Sequence, residues 1–189
     1  MAVGQKLNKT LCDFIERQPL FFVATAAPEG RVNLSPKGLP SLKIMDERRI
    51  VWLSLSGSGN ETAAHLAESD RMTLMFCAFG GEALILRVYG YARVFHPRDP
   101  EWSALAAHFP PMAGARQVFD LVIDLVQTSC GSGVPFMDFR AERGTSELLP
   151  FYEAMRSEGL IDYWRRKNMR SIDGRPTGIF SEPGDPACG

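Results

Sequence analysis

Apolar positions along the chain switch between two periods, and the switches mark out the elements. Leu7, Leu11, Phe14 and Ile15 recur at the spacing of one helix face, which predicts a helix over residues 7–18, stopped by Pro19. Residues 20–27, "LFFVATAA", form a short run rich in β-branched and aromatic side chains and read as a strand. "PEG" at 28–30 is a tight-turn signal, and residues 31–35 then alternate, so the two runs make a hairpin. Residues 48–56 predict another strand, with Val51, Leu53 and Leu55 alternating with Trp52 and Ser54. Residues 60–69 predict a short helix with Asn60 as its N-cap. Two long strands, 71–79 and 82–95, flank Gly80-Gly81, a hairpin signal, and Gly90 inside the second predicts a bulge or a close backbone approach. Residues 99–109 place Trp102, Leu105, Ala106 and Phe109 on one helix face.

Residues 116–130 fit both periods. Phe119, Leu121, Ile123 and Leu125 suit a strand; Leu121, Val122, Leu125 and Val126 suit a helix face. Their Val and Ile content and the glycine cluster that follows favour the strand. Residues 146–168 read as helix broken near Gly159, and 173–189 as irregular, rich in Gly and Pro. About six strands joined by short links make antiparallel sheet, and closing it removes the edges. The fold expected is mainly β (α+β): a small closed or half-open barrel with peripheral helices and a helical C-terminal segment.

Composition narrows the class. A length of 189 residues suits one domain, or one with an appendage; 45% hydrophobic and 23% charged residues are those of an ordinary globular chain. A net charge of −1 gives no electrostatic reason for a nucleic-acid or anionic-membrane partner. Arginine outnumbers lysine sixteen to five, a bias toward planar contacts with carboxylates or phosphates. The N-terminus lacks a signal-like apolar core, and no window reaches the roughly 18 apolar residues of a membrane span. Cys12, Cys77, Cys130 and Cys188 show no metal-ligand spacing and are expected as free thiols in a cytoplasmic setting. His65, His96 and His108 are far apart in sequence, so no metal is expected.

Candidate chemistry gathers at two polar clusters. In "WLSLSGSGNETAAHL", residues 52–66, an apolar run meets a helix at Gly-Ser-Gly. One reading is a plain turn capped by Asn60. The other is an anion cradle, in which Ser56, Ser58, Asn60 and Thr62 add donors to a helix start. Glu61 opposes the second reading unless it points away. The other cluster is "RVNLSPKG", residues 31–38: Asn33 and Ser35 alternate on one face, Lys37 follows, and Pro36 marks an edge or an ending strand. If 20–27, 31–35 and 48–56 are sequential antiparallel strands, both clusters share one groove.

These segments, with "RMTLMFCAF", "LRVYGYARV", "VQTSCGSGVPFM" and "KNMRSIDGRP", resemble the FMN-binding split β-barrel family related to pyridoxamine 5′-phosphate oxidase, in order from about residue 14 to 174. The resemblance implies a Greek-key-like antiparallel split barrel over 1–145 and a helical extension of the same domain over 146–189. It also implies a homodimer with FMN at the subunit interface and a strand at 116–130. It carries Asn33, Ser35 and Lys37 to the flavin, Ser58, Asn60 and Thr62 to the ribityl phosphate, Trp52 and Ser54 to the isoalloxazine, and Arg71 to the phosphate. The chain departs from the oxidase at Glu61-Thr62, where that enzyme has Arg-Lys. Arg31 and Lys37 stand one residue farther apart than their counterparts, and the C-terminal Arg-x-His that serves the pyridoxine substrate has no match. Phosphate charge therefore falls to Lys37, Arg31 or Arg71, and the expected substrate is a small molecule other than pyridoxamine phosphate.

Other residues have plainer expectations. Cys130 reads as a turn residue, His65 as a packing or interface histidine, and Trp102 and Trp164 as core or interface anchors. Arg87 and Arg93 share a face if Gly90 does not bulge. The first expectation is an FMN-dependent oxidoreductase with no catalytic acid or base evident. The alternatives are a non-catalytic holder of flavin, deazaflavin or haem on the same barrel, and a dimeric interaction protein with an empty groove.

Overall fold

The computed structural model describes residues 2–180. The irregular stretch expected over 173–189 is described only to 180; its remainder, with Cys188, lies outside the described residues. Eight antiparallel strands form one sheet: β1 (Ala2–Gly4), β2 (Phe21–Thr25), β3 (Asn33–Lys37), β4 (Leu42–Asp46), β5 (Arg49–Leu55), β6 (Arg71–Cys77), β7 (Leu84–Phe95) and β8 (Ala115–Cys130). The strand order is β3-β2-β6-β7-β8-β5-β4, with β1 added to β8. Helices α1 (Lys9–Glu16), α2 (Glu61–Leu66) and α3 (Trp102–Ala106) sit at the seams, and a π-helical turn, Gly144–Leu148, leads into α4 (Leu149–Lys167).

β3 and β4 are the two ends of the strand path, yet only residues 38–41 separate them in sequence. The short link makes the sheet curl until its ends approach. Ser41 O accepts the Leu53 N–H at 2.8 Å, which extends the β4–β5 ladder into this link. The expected adjacency of strands 31–35 and 48–56 is therefore corrected: β5 pairs with β4 and β8, not with β3. The two polar clusters meet across the split in the barrel rather than along a ladder. Pro36 lies inside β3, where its missing N–H costs nothing because β3 pairs on one side only.

Inside the barrel Trp52 stacks on Phe119 at 4.3 Å between ring centres, and Phe21 meets the Trp52 edge at 6.1 Å. β5 is buried on both faces. Ile50 and Trp52 enter this core, while Val51 and Leu53 join a second one with Phe95, Leu105, Phe109 and Val118. The ambiguous run 116–130 is strand, because a 16-residue β8 can pair with β7 and β5 along its length. Both expectations for Gly90 hold. The β7–β8 register slips between Tyr89 and Gly90, and a Cβ on Gly90 would lie 2.0 Å from Val122 O. Arg87 and Arg93 still share the outward face of β7, where Arg87 donates to Ser129 Oγ and Arg93 lies over the Phe95 ring.

β1 and β4 were not expected: the first has three residues, and the second, "LKIMD", shows no clean alternation. The helix break expected near Gly159 falls three residues before it, at Arg156 (φ 54°), and Gly159 itself continues the helix. Among the described residues no helix is long and apolar enough to cross a membrane.

Candidate functional site

Alternation along β3 turns Asn33, Ser35 and Lys37 inward and leaves Leu34 and Pro36 outside. Across the split, Ser54 is the next-to-last residue of β5, residues 57–60 form the loop, and Glu61 and Thr62 open α2. Arg116 comes from β8, and Arg170, Ser171 and Ile172 come from the segment after α4. Together they enclose a cleft of about 560 Å³. The structure thus brings Asn33, Ser35, Lys37, Ser54, Ser58, Asn60 and Thr62 to one place.

Two expected residues lie elsewhere. Trp52 is fully buried beneath the cleft, where its ring faces Lys37 Nζ at 5.6 Å. Arg71 opens β6, which β7 and β8 separate from β5, and it lines a separate hollow with Thr73, Tyr89 and Tyr91. Its Nε donates to Ser69 Oγ. Arg31, named as a source of phosphate charge, is spent on an ion pair with Asp173.

The Gly-Ser-Gly loop is clamped from behind. Ser56 N–H and Oγ both donate to Gly114 O, at 2.7 and 2.9 Å. Tyr152 Oη donates to Ser56 O at 2.6 Å, Trp164 Nε1 to Ser56 Oγ at 2.7 Å and Asn168 Nδ2 to Gly57 O at 2.8 Å. Arg116 Nη1 donates to Gly59 O at 3.0 Å. Trp164 is therefore a hydrogen-bonded clamp as well as a packing residue. Asn60 makes no capping bond: its buried amide reaches toward Asn168 O at 3.4 Å instead. With six residues, α2 offers little dipole to an anion, and the charge must come from side chains.

Lys37 and Arg116 supply it. Among the described residues neither forms an ion pair. Burial, and then the Arg116 charge, push the Lys37 ammonium down to about 8. Burial pushes Arg116 down to about 10. Ser35 Oγ, Asn60 Oδ1 and Arg116 Nε are buried at the cleft with no hydrogen-bond partner. Such atoms are rare in a folded chain unless a ligand or water satisfies them. Glu61 does not aim its charge into empty space: both carboxylate oxygens accept the Ile172 N–H, at 3.1 and 3.0 Å. Asn33 Nδ2 donates to Thr62 Oγ1 at 3.1 Å and Thr25 Oγ1 at 3.3 Å, and Thr25 in turn meets His65 Nδ1 at 3.1 Å. His65 is thus a buried structural partner. Cys130 lies outside the cleft, bonded to Ser132.

Sequence reasoning missed Arg116, Asn168 and Arg170. The available signal for Arg116 was an Arg-Gln pair opening an otherwise apolar run. A family model described as pyridoxamine 5′-phosphate oxidase matches residues 7–130. The chain belongs to this family. A relative from Aspergillus flavus, the pyridoxamine 5′-phosphate oxidase family protein ustO, is 37% identical over 91% of this chain and 76% of its own length. A Lactobacillus delbrueckii crystal structure, described as a candidate pyridoxamine 5′-phosphate oxidase, superposes with a TM-score of 0.53 at 18% identity, over 66% of this chain and 95% of its own. HupZ of Group A Streptococcus superposes with a TM-score of 0.52 at 17% identity, over 70% of this chain and 99% of its own. At such identities these two share the fold of the oxidase family, the split barrel.

Proposed function

We propose that this protein is an FMN-dependent oxidoreductase of the pyridoxamine 5′-phosphate oxidase family, acting in the cytoplasm on a small substrate other than pyridoxamine phosphate. One observation carries the reading: a half-buried cation, Lys37, and a buried one, Arg116, line one cleft, and among the described residues neither forms an ion pair. Unpaired buried charge is costly, and a chain tolerates it where an anion arrives to share it. A flavin mononucleotide offers two such anions, its phosphate and the N1–O2 edge of its reduced ring. The unpartnered Ser35 Oγ, Asn60 Oδ1 and Arg116 Nε suit the hydroxyl-rich chain between them.

When bound, the flavin supplies two-electron transfer. Lys37 and Arg116 would place positive charge where negative charge grows, an electrostatic contribution that needs no rearrangement at the moment of reaction. Ser58, Thr62 and Asn33 would add neutral donors, Ser54 would fix the Arg116 guanidinium from the strand end, and Trp52 would form the floor under Lys37. Residues 1–145 are the proposed flavin-binding barrel and 146–189 its extension.

The same proposal includes a homodimer. Val32, Leu34, Tyr91 and Val122 expose large apolar side chains on the outward face of the sheet. Val32 and Tyr91 line the hollow that contains Arg71, a face suited to a second copy of the chain.

The test starts with the purified protein. It is expected to be yellow or to bind added FMN, to bleach with NADH or NADPH without oxygen, and to recover colour in air. Binding without bleaching by any reductant would favour a flavin holder. Colourless protein that refuses millimolar FMN would overturn the proposal. Light scattering on a sizing column checks the dimer.

A further inference from the structure

The segment that follows α4 forms a loop pinned at its base. Asn168 and Thr177 are buried, and Thr177 Oγ1 donates to Asn168 O at 2.5 Å. Between them the chain folds back on itself through Ser171 N–H to Arg175 O, at 2.9 Å, and a bridge between Arg170 and Pro176. The tip is not held by apolar packing, since Ile172 is 72% exposed. Polar contacts hold it instead. Glu61 accepts the Ile172 N–H, Asp173 accepts from the Arg31 N–H at 2.8 Å, and Arg175 donates to both oxygens of Glu68 and to Glu29 O. This arrangement brings Arg170 to the cleft wall. Its Nη1 donates to Gly174 O at 2.8 Å, and among the described residues its other nitrogens make no hydrogen bond.

The cleft then carries three cations, Lys37, Arg116 and Arg170, against one carboxylate, Glu61. A surplus of two positive charges matches a phosphate monoester, which carries about −1.5 to −2 at neutral pH. An uncharged riboflavin would leave the surplus uncompensated. Arg116, 4% exposed with Nε unpartnered, independently marks the same space as a ligand site.

We propose that Glu61 is a positioning residue: by accepting the Ile172 N–H it holds Arg170 at the cleft as the third cation for a phosphate monoester. This rests on the flavin reading and adds to it the ligand's charged end and the residues that grip it. The sign of one substitution separates it from the simpler view of Glu61 as a nearby anion. If Glu61 only repelled phosphate, removing it would tighten binding. If it positions Arg170, removing it loosens binding.

The experiment measures FMN and riboflavin affinity, by flavin fluorescence, for the full-length protein and its variants. R170A is expected to weaken FMN by about tenfold or more and leave riboflavin unchanged, with R170K recovering part of the loss. E61A is expected to weaken FMN in the same way and to add little in the E61A/R170A double variant. E61Q keeps an amide oxygen for Ile172 and retains most of the affinity. Amide exchange of the wild type provides a second measure that needs no variant: residues 170–174 gain protection with FMN and not with riboflavin. An E61A that tightens FMN, an R170A with an unchanged FMN-to-riboflavin ratio, or equal protection by both flavins overturns the proposal and leaves the flavin reading standing. A wild type that binds neither flavin overturns both.

Discussion

Lys37 Nζ lies 5.6 Å from the centre of the Trp52 ring, and among the described residues it forms no ion pair. The ring face offers the ammonium a weak attraction, about 0.5–2 kcal/mol. That is less than a buried charge loses with its hydration. Lys37 therefore strains the empty protein and serves the occupied one. K37M keeps the shape of the stem and removes the charge. It is expected to hold or raise the melting temperature of ligand-free protein while weakening FMN by about tenfold or more. Thermal melts with and without FMN check both halves. A drop in ligand-free stability with full affinity would make Lys37 a structural residue.

Asn168 controls the loop from the opposite side. It is fully buried, and its amide donates to Gly57 O at 2.8 Å and Gly59 O at 3.4 Å. N168A leaves those carbonyls to find other partners. It is expected to cost about 1–3 kcal/mol in urea denaturation and to speed amide exchange across residues 57–60. Unchanged exchange there would mean that Tyr152, Trp164 and Arg116 hold the loop without it.

Gly90 allows β7 and β8 to approach at the bulge. A methyl group at 2.0 Å from Val122 O meets backbone on a central pair of strands, and no side chain can move aside. G90A is expected to destabilise the protein by at least about 3 kcal/mol or to yield insoluble material. A soluble G90A with a wild-type melt would show that the strands can part without cost.

Much of the site was legible because each half is local. Asn33, Ser35 and Lys37 alternate within five residues, and Ser58, Asn60 and Thr62 sit at a strand-to-helix seam. Their meeting was expected for a wrong reason, since barrel closure and not strand pairing joins them. Arg116 was hidden because one cation in an apolar strand has no periodic signature. The loop after α4 was hidden because its contacts are remote: Ile172 and Glu61 are 111 residues apart, as are Asn168 and Gly57. Glu61 shows the limit most clearly. Its sequence position marks it as hostile to an anion, and only the partner it holds changes that meaning.

The Lys37 shift sets a pH dependence whose sign follows from linkage. In the fold its ammonium loses a proton at about 8, against an ordinary value of 10.5, because burial and Arg116 disfavour the charge. Below about 8 both the folded and the unfolded chain hold the proton, and the fold bears the full penalty. Between about 8 and 10.5 the unfolded chain binds more protons, so stability of the ligand-free protein rises with pH across that window. A bound phosphate reverses the preference and raises Lys37 again, so binding at about pH 8 takes up a proton. FMN affinity is expected to climb through about pH 6 as the phosphate becomes a dianion, level off, and fall above about pH 8. Calorimetry in buffers of different ionisation enthalpy measures the uptake directly. K37M is expected to lose the alkaline limb and the proton uptake while keeping the acid limb, which belongs to the ligand. An alkaline limb that survives in K37M would assign it to another group and remove Lys37 from the anion's contacts.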